Sequence, residues 1–158
     1  MHDYDNICYC IACNQGCIDR VLGGMPAHCM VNPVAGEELT CKLKGKSGKK
    51  VAIIGADPAG MEAAITAAKR GMKVTVYEKD ELGGKFKALS TPPEKDTFMM
   101  FDRYLVSQMK KYNIEVINKE VKADDEFDAD TIILATGSKQ IVPPIQGIDQ
   151  EFVLQAED

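Results

Sequence analysis

Val51-Ala52-Ile53-Ile54-Gly55-Ala56-Asp57-Pro58-Ala59-Gly60 opens the stretch that decides the fold, and Lys73-Val74-Thr75-Val76-Tyr77-Glu78 closes it. Val51–Ile54 is a short, wholly apolar run, as expected for a strand buried on both faces. A glycine turn follows. From Ala59 to Arg70 the chain is rich in alanine and reads as a helix, with Gly71 as its C-terminal cap. Lys73–Tyr77 reads as a second strand. Strand, helix and strand together make a unit of about 27 residues, near the size of a βαβ crossover.

Working outward, Leu82–Pro93 is a loop containing Gly83-Gly84 and Pro92-Pro93. Thr97–Tyr112 has Phe98, Phe101, Leu105 and Met109 at helical spacing, which predicts an amphipathic helix with those residues in the core. Ile114–Ile117 is a third strand. Thr131–Leu134 is a fourth, leading into Ala135-Thr136-Gly137. Alternating strands and helices imply a parallel sheet. The expected fold is α/β: a partial, three-layer Rossmann-type sheet with helices on both faces, preceded by an irregular cysteine-rich lobe. The expected division places the cysteine-rich segment at 1–48 and the nucleotide-binding part at 49–158. Residues 42–50, basic and glycine-containing, read as a solvated connector between them.

The turn Gly55-Ala56-Asp57-Pro58-Ala59-Gly60 stands where the dinucleotide fingerprint Gly-x-Gly-x-x-Gly is found, between a strand and a helix. Gly55 permits the tight turn and Gly60 the close helix–strand packing. The helix N-terminus offers N–H groups to a pyrophosphate. Glu78, about 20 residues on, ends the second strand where an acid bonds an adenosine ribose hydroxyl. Asp57 departs from the fingerprint, whose second glycine lets the backbone approach the pyrophosphate. Two unit charges 4 Å apart repel by about 4 kcal/mol at an effective dielectric near 20. That is roughly a thousandfold in affinity, and less if the side chain turns to solvent. The fold reading survives Asp57. Tight dinucleotide binding does not follow from it, and a Rossmann-like domain with an empty or weak site is the plainer alternative.

All six cysteines, Cys8, Cys10, Cys13, Cys17, Cys29 and Cys41, lie in the first 41 residues. In a reducing compartment such a cluster points to metal rather than disulfides. Its core is Cys10-Ile11-Ala12-Cys13-Asn14-Gln15-Gly16-Cys17, then eleven residues, then Cys29. Three thiolates close in sequence and a fourth further on suit a four-iron cluster. Zinc also takes four cysteines, more often as two separated Cys-x-x-Cys pairs. Cys8 competes with Cys10 for the first position through a less compact spacing. Cys41 reads as a plain thiol. His2 and His28 read as incidental, and no residue reads as a catalytic acid, base or nucleophile.

The 158 residues carry a formal net charge of -5, which suggests neither a nucleic-acid partner nor an anionic membrane. A hydrophobic fraction of 45% suits a buried core. No apolar stretch approaches the roughly 20 residues that span a bilayer. The acidic start, Met1-His2-Asp3-Tyr4-Asp5, lacks a signal-peptide core, so a cytoplasmic location is expected.

Cys10-Ile11-Ala12-Cys13-Asn14-Gln15-Gly16-Cys17-Ile18-Asp19-Arg20, the later Cys29, Val31-Asn32-Pro33 and Gly36-Glu37-Glu38 resemble one linker. It belongs to the NADH:flavin oxidoreductases of the 2,4-dienoyl-CoA reductase, trimethylamine dehydrogenase and enoate reductase group. Val51–Glu78, Leu82-Gly83-Gly84 and Ala135-Thr136-Gly137 resemble the FAD-binding part that follows it. The resemblance implies a [4Fe-4S] cluster on Cys10, Cys13, Cys17 and Cys29. It implies an FAD site drawn from Gly55, Asp57, Ala59, Gly60, Glu78, Lys79, Gly83, Gly84, Lys85, Ala135, Thr136 and Gly137. The group usually has glycine at position 57 and often glutamine at 85. Trimethylamine dehydrogenase holds only ADP at the equivalent site, so the implied cofactor is FAD or ADP alone.

In that group an FMN-bearing barrel precedes this segment and an NAD(P)H domain interrupts the FAD domain after it. The chain resembles only the middle, stopping at Gln155–Asp158 about where the NAD(P)H domain would begin. The expected function is therefore electron transfer within an NADH:flavin oxidoreductase, the fragment alone being inactive. The alternative is a non-catalytic nucleotide- or zinc-binding module. Expected partners are the remaining domains or other subunits. In the group a further strand covers the sheet edge beside residues 131–135; without it the edge is exposed and self-association is expected.

Overall fold

The computed structural model describes residues 4–45 and 48–154; His2 and Gln155–Asp158 lie outside them. Four strands, β1 (Lys50–Ile54), β2 (Lys73–Glu78), β3 (Glu115–Asn118) and β4 (Thr131–Leu134), form one parallel sheet in the order β3-β2-β1-β4. Val51 pairs with Val74 on one side and with Thr131 on the other. Thr75 pairs with Glu115. The α/β class expected from the alternating pattern is the one observed.

Helix α1 (Ile18–Leu22) is a single short turn in the cysteine lobe; α2 (Pro58–Lys69) and α3 (Asp96–Lys111) are the long helices. Val51, Ile53, Val74 and Val76 alternate along β1 and β2, so they share one face. On that face they meet Met61, Ala64 and Ile65 of α2 and Phe101, Leu105 and Met109 of α3. Ile53, Met61 and Leu105 are fully buried. Their removal from water is the main stabilising contribution, at about 1.5–3 kcal/mol for a large apolar side chain.

Both long helices pack against this face and against one another. This departs from the expected helix layer on each face. The chain moves from β1 to β2 to β3 in one direction across the sheet, and same-handed crossovers in one direction deliver their helices to one side. Only the return from β3 to β4 crosses the other side. Its residues 119–130 contain no helix, and Phe127 packs edge-on against Tyr77, ring centroids 5.0 Å apart. On β4, Ile133 packs with the core while Leu134, on the opposite face, is 76% exposed.

β4 lies at the edge of the described sheet. It is pinned at its start: the Lys50 N–H donates to Asp130 Oδ2 at 2.7 Å, the Asp130 N–H donates to the Lys50 carbonyl, and Lys50 Nζ meets Asp128. The cysteine lobe docks on the helical side. Val31 is 8% exposed and joins the core, with Ile11 and Cys29 against it. Asn6 accepts from Gln108 Nε2 at 2.6 Å and from Ser107 Oγ, tying the N-terminal 3₁₀ turn to α3.

Candidate functional site

The carboxyl ends of β1, β2, β3 and β4 open on one cleft of about 710 Å³. This is where parallel α/β sheets place ligands, at the point where the strand order reverses about β1. Gly55, Asp57, Glu78, Lys79, Gly84, Lys85, Ala135, Thr136 and Gly137 line it, all named from the sequence. Ala59, Gly60 and Gly83 do not; they support the residues that do. Tyr77, Asp80, Glu81, Lys87, Lys119, Glu120, Val121, Ser138 and Lys139 also line the cleft and were missed. The legible signal for them was position: Tyr77 stands at the carboxyl end of β2, and the others lie in the segments that follow β2, β3 and β4.

The turn is built by close approach of backbones. Gly55 has φ +101°, which a side chain rarely tolerates, and a Cβ there would strike the Ala135 carbonyl. A Cβ on Gly60 would strike the Gly55 carbonyl. The Gly55 N–H donates to Tyr77 O and the Ala135 N–H to Ile54 O, both at 2.8 Å, so strand pairing continues into the turn. Glu78 ties the same region together: Oε2 accepts from the Ala56 N–H at 2.7 Å and Oε1 from the Asp80 N–H at 2.9 Å. The residue expected to meet a ribose is thus also a strut between two loops. Each carboxylate oxygen keeps a second acceptor site for a hydroxyl.

Asp57 occupies the N-cap position of α2 but makes no capping hydrogen bond. Its carboxylate lies instead against the Cα atoms of Gly84 and Gly137, where a Cβ on Gly84 would strike it. Burial, then the neighbouring Glu78 carboxylate, push the Asp57 carboxyl above the ordinary carboxylate range, and the Lys85 ammonium opposes them. The two departures from the group pattern therefore act on one another. Lys87–Glu81 and Lys79–Glu120 pair at the rim with exposed side chains, where solvent screening leaves ion pairs little to contribute.

The glycine loop is carried by a 3₁₀ stretch, Gly84–Ser90, where the sequence showed only a loop. Phe86 seats it on α3 through Phe98 and Phe101, at 5.3 and 5.8 Å between centroids. Beneath it Asp102 of α3 is 7% exposed, and its Oδ1 is buried without a hydrogen-bond partner. Burial raises its carboxyl pKa, with Lys87 opposing. A raised folded-state value gives a contribution fully present below the unfolded carboxylate pKa, near 3.9, and lost as pH rises through the folded value. Asp102→Asn should therefore stabilise the chain by about 1–2 kcal/mol at pH 7 and by much less near pH 4. Thermal melts at the two pH values check this; an equal gain at both would refute the ionisation cause.

All six cysteines are free thiols. Cys10 Sγ accepts the Ala12 N–H at 3.3 Å. Ala12 and Asn14 both have positive φ, 55° and 57°, so the Cys10–Cys17 loop is tightly wound, at a cost of about 1–2 kcal/mol for Ala12 and less for Asn14, which tolerates this region. The His28 N–H donates to Gly16 O at 2.6 Å, which brings Cys29 beside that loop. Cys8 is engaged by the backbone: its thiol donates to Val31 O at 3.4 Å, and burial, then the nearby Cys29, raise its pKa. Cys41 is exposed. The donor set and the loop juxtaposition fit a four-thiolate cluster. The thiols themselves do not converge: among the described residues no three His, Cys, Asp or Glu side chains form a metal-holding group.

A match to the pyridine nucleotide-disulphide oxidoreductase family covers residues 49–157. The chain belongs to that family. It is 44% identical to an NADH oxidase of Thermoanaerobacter brockii over 94% of its own length and 24% of the relative's. It is 36% identical to a metal reductase of Desulforamulus reducens, again over 94% of the chain and 24% of the relative. Among solved structures, a 2-naphthoyl-CoA reductase complex superposes with TM-score 0.83 at 37% identity, covering 93% of this chain and 23% of that one. The chain thus spans about a quarter of the relatives it matches. These matches agree with the resemblance to NADH:flavin oxidoreductases carried by the cysteine and glycine motifs. The match to the family runs through the cleft-lining turns but begins after the last cysteine, Cys41. No helix among the described residues is long and apolar enough to cross a membrane.

Proposed function

We propose that this chain is the electron-transfer segment of a cytoplasmic NADH:flavin oxidoreductase. It holds FAD, or the ADP part of it, in the cleft and a [4Fe-4S] cluster on Cys10, Cys13, Cys17 and Cys29. The observation that carries the reading is the meeting of the βαβ turn, Glu78, the Gly84 loop and the Ala135–Gly137 turn around one cleft at the carboxyl end of the sheet. Glu78 holds the ribose hydroxyls, and the α2 N-terminus faces the pyrophosphate. The tightly wound Cys10–Cys17 loop supports a ligand there, because backbone strain of this kind persists at sites that surrounding structure over-determines. The bound groups supply the redox chemistry; the chain binds and orients them. Catalysis and substrate choice reside in the FMN barrel and NAD(P)H domain of the parent enzyme.

Anaerobically purified chain is expected to be brown, with iron and acid-labile sulfide in near-equal amounts, and to bleach with dithionite. Added FAD is expected to be retained through desalting. Colourless protein containing zinc would favour the non-catalytic binding module. Exposed Ile132 and Leu134 on the edge strand support self-association or docking to other subunits. Sedimentation showing only monomer at micromolar concentration would reject self-association.

A further inference from the structure

We propose that Asp57 makes dinucleotide binding proton-linked: the cleft takes up one proton onto the Asp57 carboxylate as the pyrophosphate enters. This rests on reading the cleft as a dinucleotide site.

Three placements carry it. Asp57 holds the position where a glycine would let the backbone reach the pyrophosphate. It stands at the N-cap of α2, where an aspartate ordinarily accepts from helix N–H groups, yet its side chain makes no such bond. Its carboxylate is lodged between the Gly84 and Gly137 turns instead. An anion entering between these turns therefore meets a carboxylate rather than open space. Protonation removes the like charge and turns one carboxyl oxygen into a donor toward the phosphate oxygens.

The surrounding charges set the direction. Glu78 from the end of β2 disfavours the ionised form, and Lys85 from the 3₁₀ stretch favours it. Ala135, Thr136 and Gly137 after β4 bring no charge; Lys139 beyond them lines the cleft, as do Lys119 and Glu120 after β3. Asp102 of α3 lies beneath Gly83, on the far side of the glycine loop. Adding two negative phosphates beside Asp57 raises the affinity of its carboxylate for a proton.

The test is calorimetric titration of the full chain with FAD, whose pyrophosphate has no group ionising between about pH 5 and pH 8. Two buffers of different ionisation enthalpy report proton uptake. The expected result is a Kd at least about tenfold weaker at pH 8 than at pH 6, with up to one proton taken up. Asp57→Asn and Asp57→Gly should bind more tightly at pH 8 and show no pH slope and no uptake. Neither removes a capping bond, and circular dichroism verifies their fold. A flat wild-type profile, or a slope that survives in Asp57→Asn, would overturn the proposal while leaving the dinucleotide site standing. Failure of FAD to bind all three proteins at every pH would overturn the site reading and the proposal together.

Discussion

Gly60→Ala is expected to lower stability by more than about 3 kcal/mol, a large part of the 5–15 kcal/mol that holds a domain folded. One methyl group is enough because of what it meets. The added Cβ falls on the Gly55 carbonyl and 3.3 Å from the Ala135 Cβ. Overpacking costs about 1–3 kcal/mol where side chains can yield, and these neighbours cannot. Gly55 is held by Tyr77 and Ala135 by Ile54 through backbone hydrogen bonds. To admit the methyl, α2 must lift from β1, opening the contact of Met61 and Ile65 with Ile53. Gly45→Ala is the control, since its Cβ would meet only Arg70 O, at 3.6 Å. Urea denaturation of both variants checks the expectation. A Gly60→Ala midpoint close to the parent's would show that the turn is not packed as described.

Cys17→Ala is expected to abolish cluster colour and iron retention, and with them the order of the lobe. Among the described residues before Lys42, Val31 is the one large apolar side chain that is buried. Metal–thiolate bonding must supply what packing does not, and structural metal sites contribute about 10 kcal/mol or more. Cys41→Ala should leave the spectrum intact. Cys8→Ala separates the two candidate first ligands: its thiol is directed to Val31 O, so colour should survive. Full visible absorbance in Cys17→Ala, or its loss in Cys8→Ala, would overturn the ligand assignment.

The strands and long helices were legible because their patterns reflect burial. The unbroken run Val51–Ile54 lies in the middle of the sheet, and Phe101, Leu105 and Met109 face the core as their spacing requires. The 3₁₀ stretch at Gly84–Ser90 was not legible, because it is held by Phe86 against α3 rather than by its own sequence. The single helical face followed from strand order, which periodicity does not encode. At the site, glycines announced the close approaches. Glu78 was singled out as the proposed ribose ligand by its place at the end of β2, but its bond to the Ala56 N–H depends on two loops meeting. Asp57 was visible as a departure, while its refusal of the capping role is a property of the folded turn.

The pairing of β4 with β1 joins Lys50 and Asp130, 80 positions apart, whereas β1, α2 and β2 close within 28, from Lys50 to Glu78. Closing the longer loop costs more chain entropy, by about 0.6 kcal/mol per doubling of length. The local βαβ unit can form as soon as Glu78 is available, and it then presents the bare edge of β1 until residues 131–134 arrive. The cleft depends on that last strand, because Ala135 and Gly137 stand directly after it. The core side chains of β1, α2, β2 and α3 thus all precede Thr131 in the chain, whereas the cleft is closed only by the turn that follows β4.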